Sequence, residues 1–217
     1  MTEYCENHKR GLLIVFCGPS GVGKGTVLKK FLEHNQECVL SISATTRCPR
    51  AGETDGKDYF FVSRERFSEI AATGGMLEYA EYNGNFYGTP KAAVEELLKA
   101  GRNVILEIEI QGALKIKELN LGAVFIFVMP PSWEALRQRL RDRNTETPES
   151  MTGRLGIAIG EIEKACLFDY IIINDHLDKC LDEISAVIKA AGCGACYREN
   201  LIREVLEDAQ TIDVSDH

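Results

Sequence analysis

Gly18-Pro-Ser-Gly-Val-Gly-Lys-Gly-Thr26 places four glycines around a lysine, directly after an apolar run and directly before a helical pattern. Such a segment can curl its backbone N–H groups around an anion with no Cβ in the way. The start of the following helix adds partial positive charge, and Lys24 adds a full one. Gly18, Pro19, Ser20, Gly21, Val22, Gly23, Lys24, Gly25 and Thr26 are therefore candidate ligands for the phosphates of a nucleotide. The strict pattern has Ser or Thr directly after the lysine. Gly25 stands there instead, so either Thr26 covers that role or a magnesium ion would be held mostly through water.

A second cluster follows. Ser41-Ile-Ser-Ala-Thr-Thr-Arg47-Cys-Pro-Arg50-Ala-Gly-Glu53 sets two arginines three apart in a loop, with Tyr59 shortly after. Loop arginines are commonly just solvated. In a chain of 25 Lys+Arg against 33 Asp+Glu, net charge -8, two guanidiniums and a tyrosine hydroxyl instead suggest a second phosphate site.

These clusters need elements to hold them. Leu12–Cys17, Val104–Ile108, Ala123–Met129 and Tyr170–Asn174 are short, continuous apolar runs, suited to strands buried on both faces of a parallel sheet. Helical patterns separate them over Lys24–His34, Lys91–Ala100, Ser132–Arg143, Pro148–Ala165 and Asp178–Ala190. The expected fold is α/β, a P-loop parallel sheet core flanked by helices. Tyr59–Val62, Leu77–Tyr82 and Asn85–Tyr87 break the alternation and read as short antiparallel strands, with Asn83-Gly84 as a hairpin turn. They form a small β-rich insertion of the kind that binds substrate. Residues 199–217 carry six acids and one base, and a short helix near Glu199–Ala209 is expected in this acidic end.

Composition limits the function classes. With 217 residues, 45% hydrophobic and 27% charged, one large domain with an inserted subdomain is expected. The acidic balance argues against a long nucleic-acid groove. No apolar run approaches the ~20 residues of a membrane span, and the first residues are too polar for a signal peptide, so the expectation is a soluble, cytoplasmic protein that binds no membrane. The eight cysteines (5, 17, 38, 48, 166, 180, 193 and 196) are expected to be reduced thiols. Cys5-Glu-Asn-His8 and Cys193-Gly-Ala-Cys196 together offer a Cys₃His set suited to structural zinc, with a redox pair or inert thiols as the other readings. Inert thiols are the simplest of the three. All four residues are expected on the side of the sheet opposite the phosphate loop.

The motifs, taken together, resemble those of the guanylate kinases. GPSGVGKGT at 18–26, SISATTRCPRAGE at 41–53, DGKDYFFV at 55–62 and LEYAEYNGNFYGTP at 77–90 are similar to that family's. So are VILEIEIQGA at 104–113, PPS at 130–132, RLRDRNTET at 139–147 and IIINDHLD at 171–178, in order, over about residues 11–190. The resemblance implies transfer of a phosphoryl group from ATP to GMP, giving GDP, and by extension to dGMP. It implies a core at about 11–42 and 91–192 within a domain of 1–192, a GMP-binding insertion at about 43–90 and a helical lid at about 139–160. Residues 193–217 remain as an acidic extension.

By the same resemblance, Lys24, Arg47, Arg143 and Arg154 are the catalytic residues, and Arg139 and Asn174 join the loop in holding ATP. Ser43, Arg47, Arg50, Tyr59, Glu78, Tyr87, Gly88, Thr89 and Glu107 hold GMP. The residue chemistry agrees, because a carboxylate at Glu78 can accept from both guanine N1–H and the 2-amino group. Glu107 ends a strand expected to be buried, where nucleotide sites gather in open α/β sheets. Asn174 also ends a strand, so a local turn role stays open. Glu109 stands where the family more often has Asp, which bears on the magnesium or water network. The partners implied are GMP, ATP and Mg²⁺ held mainly by phosphates and water, with no protein metal ligand. Oligomeric state stays open. The alternatives are a non-catalytic guanylate-kinase-like interaction module, which would characteristically lack the loop and lysine kept here, and a kinase for another nucleoside monophosphate.

Overall fold

The computed structural model describes residues 10–82, 84–142 and 148–211, the side chains of 148–152, 196, 210 and 211 apart. In chain order its elements are β1 (Leu13–Cys17), α1 (Lys24–His34), β2 (Cys38–Leu40), β3 (Ala44–Thr45), β4 (Phe60–Phe61), α2 (Arg64–Ala72), β5 (Met76–Tyr82), β6 (Asn85–Pro90), α3 (Lys91–Lys99), β7 (Asn103–Glu107), α4 (Ile110–Glu118), β8 (Val124–Met129), α5 (Trp133–Arg141), α6 (Pro148–Ile162), β9 (Tyr170–Ile173), α7 (Leu177–Ala191) and α8 (Glu199–Thr211).

Five strands pair in the order β2-β7-β1-β8-β9, every pair parallel. Strand β1 shows why its sequence is apolar without interruption. Ile14 and Phe16 enter one core cluster with Phe31, Ile126 and Ile184, while Leu13, Val15 and Cys17 enter the other with Leu98, Ile116 and Phe127. Both faces are covered by helices, so alternation vanishes. From the C-terminal end of β1 the chain crosses to β2 on one side, and from β7 it crosses to β8 on the other. The two strands are neighbours, so a crevice opens beyond their C-terminal ends. The phosphate loop leaves β1 there, and Glu107 ends β7 there.

The insertion is a separate four-stranded sheet, β4-β3-β6-β5. Strands β5 and β6 form an antiparallel hairpin closed by the pair Tyr82 and Asn85, with Gly84 at φ +72°. Asn83, the other residue expected in that turn, lies outside the described residues. One expectation is corrected: β4 pairs parallel, not antiparallel, with β3. The long connection between them makes this possible, and it is pinned by side chains. Asp58 accepts from Thr54 N–H at 2.8 Å and Asp55 from Phe61 N–H at 2.8 Å.

Four elements have no counterpart in the sequence reading: β2, β3, α2 and α4. The two strands are three and two residues long, too short to show a period. Helix α2 does carry a signal, since Ser63 caps it by accepting from Arg66 N–H and Glu65 sits in its first turn. Helix α4 buries Ile110, Ala113 and Ile116 at helical spacing.

The described cysteines are free thiols. Burial pushes the Cys17 thiol up to about 12 and the Cys180 thiol up to about 11, which keeps both protonated and unreactive. Cys193 borders a hollow with Leu12, Cys38 and Asn103, at the N-terminal edge of the sheet, where it was expected. Cys5, His8 and the Cys196 side chain lie outside the described residues. Among the described residues no group of three His, Cys, Asp or Glu is placed to hold a metal ion, and no helix is long and apolar enough to cross a membrane.

Candidate active site

The phosphate loop is held by its backbone. Gly23, the residue before α1, lies at φ +98°, a conformation that side-chain-bearing residues rarely adopt, and no side chain caps the helix behind it. The first N–H groups of α1 are thus left for a ligand. Lys24 Nζ donates to Gly18 O at 2.5 Å and to Pro19 O at 3.5 Å, so the ammonium lies across the loop. Two residues fix the loop from behind. Asn174 Nδ2 and Arg139 Nη1 both donate to Val22 O, at 2.8 and 3.1 Å, and Arg139 Nη2 donates to Asn174 O at 2.8 Å. The ends of α5 and β9 are thereby tied to the loop between β1 and α1. The bond from Asn174 to Val22 O reaches across 152 positions of chain, so Asn174 acts on the phosphate loop rather than within the turn that ends its own strand.

Across the cleft, Glu78 and Thr89 face each other directly on β5 and β6. Thr89 Oγ1 donates to Glu78 Oε1 at 2.7 Å, and both residues are buried, Glu78 at 8% exposure. Burial pushes the Glu78 carboxyl above the ordinary range, opposed by the Thr89 hydroxyl and the Lys115 charge. Its second oxygen lies against α4, where a Cβ on Gly112 would stand 2.6 Å from Oε2. Glycine at 112 is what lets the helix and the carboxylate share this space. The carboxylate opens on a cavity of about 280 Å³, lined also by Ser43, Tyr59, Tyr87, Gly88, Glu107 and Glu109.

Next to that cavity, Arg47 is fixed rather than loose. Its guanidinium donates to both oxygens of Glu53 at 2.8 Å and to Cys48 O at 2.7 Å, and it lies 5.3 Å from the Tyr59 ring centroid. The paired carboxylate holds Arg47 above the usual guanidinium range, with a smaller contribution from the Tyr87 hydroxyl. Arg47 in turn holds Glu53 down at about 2, with the Arg50 N–H adding to the effect. Arg50 is exposed beside them, and its N–H donates to Glu53 Oε2 at 2.7 Å. Arg47, Tyr59 and Tyr87 thus converge on one spot.

Glu107 needs a correction. It was expected to be a buried strand carboxylate, but it leaves the end of β7 exposed to the cleft. The strand is buried only through Leu106: Glu107 still pairs with Phe16 of β1, but β2 ends opposite Ile105 and no longer flanks it. The surrounding protein still pushes its carboxyl up, and the Lys24 charge draws it down. Arg154 sits half-exposed on α6, and Arg143 lies outside the described residues.

Three residues escaped the sequence reading. Glu53 orients Arg47, Gly112 makes room for Glu78, and Glu161 of α6 accepts from Ser20 N–H at 3.3 Å. Glu53 had a signal, a carboxylate six residues from Arg47 in one loop. The other two act across contacts distant in sequence.

This site has known counterparts. Residues 10–191 match the family model described as guanylate kinase. A guanylate kinase of Clostridium perfringens (strain SM101) is 46% identical over 203 residues, covering 93% of this chain and 94% of its own length. One of Halalkalibacterium halodurans is 47% identical over 196 residues, covering 90% and 95%. The crystal structure of guanylate kinase from Anaplasma phagocytophilum superposes with a TM-score of 0.75 at 37% identity, over 95% of this chain and 98% of that one.

Proposed function

Because the chain belongs to the guanylate kinase family and phosphorylates GMP at the expense of ATP, we propose that the two arms of its cleft are the acceptor and donor sites of that reaction. The observation that carries the assignment is the buried Glu78 carboxylate, fixed by Thr89 and facing the cavity. Guanine presents N1–H and the 2-amino group side by side, and one carboxylate accepts both. Adenine has an acceptor at N1, which would meet the carboxylate lone pair to lone pair. dGMP keeps the same base edge and phosphate and is an acceptor on this reading.

Arg47, Arg50, Tyr59 and Tyr87 hold the acceptor phosphate, and Glu53 keeps Arg47 aimed at it. Gly18 to Thr26 cradle the donor phosphates, with Lys24 swinging from the loop carbonyls to the ligand. Arg139 and Asn174 keep that loop in shape beneath the donor. An oxygen of the GMP phosphate attacks the γ-phosphorus in line while the bond to the β–γ bridging oxygen breaks and ADP departs. Arg154 and Arg143 of the lid, residues 139–160, neutralise the equatorial oxygens. The insertion at 43–90 and the lid close over the core at 11–42 and 91–192, excluding water and so ATP hydrolysis.

The residues present suit Mg²⁺. Glu107 and Glu109 bring hard oxygen donors to the cleft. Nothing stands within 4 Å of where a Gly25 Cβ would be, so a hydrated ion held by phosphates and water has room. When bound, the ion neutralises phosphate charge.

A coupled assay of ADP release with GMP, dGMP, AMP, CMP and UMP tests the assignment. GMP and dGMP should turn over, and AMP turnover comparable to GMP would overturn the role given to Glu78.

A further inference from the structure

Glu161 has the wrong sign for a phosphate site, yet it stands in one. It lies in the last turn of α6, half-buried, and its Oε2 accepts from the Ser20 N–H at 3.3 Å across 141 positions of chain. That N–H is one of the backbone donors a phosphate loop offers an anion. Burial pushes this carboxyl above the ordinary range, opposed by the Ser20 N–H and the Lys24 charge, with Glu109 adding to the rise. A negative oxygen resting on a loop N–H and drawn to the loop lysine has the sign and partners of a phosphate oxygen.

The helix that carries it adds a second observation. Arg154 precedes Glu161 by seven residues on α6. At 3.6 residues per turn that is two turns, so both project from the same face about 10 Å apart. A movement of α6 that carries Glu161 off the loop also moves the face that carries Arg154.

Resting on the reading of residues 18–26 as the donor site, we propose that Glu161 is an internal phosphate mimic, which occupies the Ser20 N–H until the phosphates of the donor displace it. Two anions cannot share that donor, so Glu161 sets the affinity of the loop for polyphosphate. Arrival of the donor also releases the α6 face from the loop. A carboxylate serving only to tether α6 would have different consequences. Its removal would loosen the helix and leave the affinity of the loop for anions unchanged or lower.

Calorimetric titration of the full chain with inorganic pyrophosphate and with ADP, at fixed ionic strength, separates the two. Glu161→Gln and Glu161→Ala should bind both ligands about tenfold more tightly than the wild type, the scale of one like charge removed from a half-buried site. Glu161→Asp, which keeps the charge, should stay within about threefold of the wild type, and GMP affinity of Glu161→Gln should be unchanged. Equal or weaker pyrophosphate and ADP binding by Glu161→Gln overturns the proposal while the loop keeps its role. Failure of every variant and the wild type to bind either ligand overturns the donor-site reading, and this proposal with it.

Discussion

On the reading proposed above, the anion donors in the loop arm of the cleft are backbone N–H groups, and in the insertion arm they are side chains. The loop needs glycine at Gly23 for its turn, one lysine for charge, and two residues behind it, Arg139 and Asn174, that grip a carbonyl. Val22 gives the loop its carbonyl and anchors it by burying its side chain in the core. The insertion arm is presented by strands of two to seven residues, and its geometry is set by side chains holding one another: Glu53 on Arg47, Arg47 over Tyr59, Thr89 on Glu78. A backbone-built site concentrates its sensitivity in a few positions. A site built from side chains spreads it over each contact.

The largest effect should come from the one charged side chain of the loop. Lys24→Ala should lower kcat by about three orders of magnitude, the scale of removing a charge-stabilising donor from a transferring phosphoryl group. GMP affinity should be unchanged, because the arms are separate, and equilibrium titration with GMP alone checks that. A parallel loss of GMP binding would break the comparison.

In the other arm, Glu78→Gln should cost ~2–4 kcal/mol in kcat/KM for GMP, since an amide cannot accept both guanine donors and leaves one mispaired. Unchanged KM and kcat for GMP would remove Glu78 from the base site. Gly112→Ala comes next. Its Cβ would meet Glu78 Oε2 at 2.6 Å and push the carboxylate from its place. We expect about a tenfold rise in the KM for GMP, near 1.4 kcal/mol, with ADP affinity unchanged. A normal KM for GMP would mean that α4 yields more readily than the packing indicates.

The smallest effect should follow Glu53→Gln, which leaves Arg47 in place with a neutral amide in place of its carboxylate partner. KM for GMP should rise a few-fold with little change in kcat. Glu53 also gives the insertion arm an acid limit. Its carboxyl is held down at about 2, below the ordinary 4.5. The stabilisation from the pair is therefore complete above about 4.5 and is lost as pH falls through about 2. Carboxyl-carbon NMR titration of Glu53 should give a midpoint near 2, moving towards 4.5 in Arg47→Ala. A midpoint already at 4.5 in the wild type would mean that the pair does not form in solution.

The difference between the arms also explains what could be read from the chain. The strands β1, β7 and β8 were legible because a strand buried on both faces must be apolar at almost every position, as Leu13–Cys17 is. Strand β9 was found by the same apolar signal, but as an edge strand it buries only Ile172, which corrects the expectation of a strand buried on both faces. Lys24–His34 was legible to the residue, since glycines precede it and its own period is clear. The parallel pairing of Phe60–Phe61 with Ala44–Thr45 was not, because two-residue strands have no period and their direction depends on how the intervening chain returns.

What the sequence determined by itself was the local chemistry: a phosphate loop after a buried strand, a pair of arginines in a second loop, and a hairpin turning at Asn83-Gly84. These rest on residues close in the chain, where spacing dictates geometry. Tertiary structure alone decided that Glu107 stands beyond the end of β2 and opens on the cleft, that Gly112 of α4 makes room for Glu78, and that Asn174 and Arg139 meet at one carbonyl of the loop. Each depends on the distance and angle between elements. Those are set by the packing of the helices on the sheet, in which many residues share the burial and no short stretch of chain records the result.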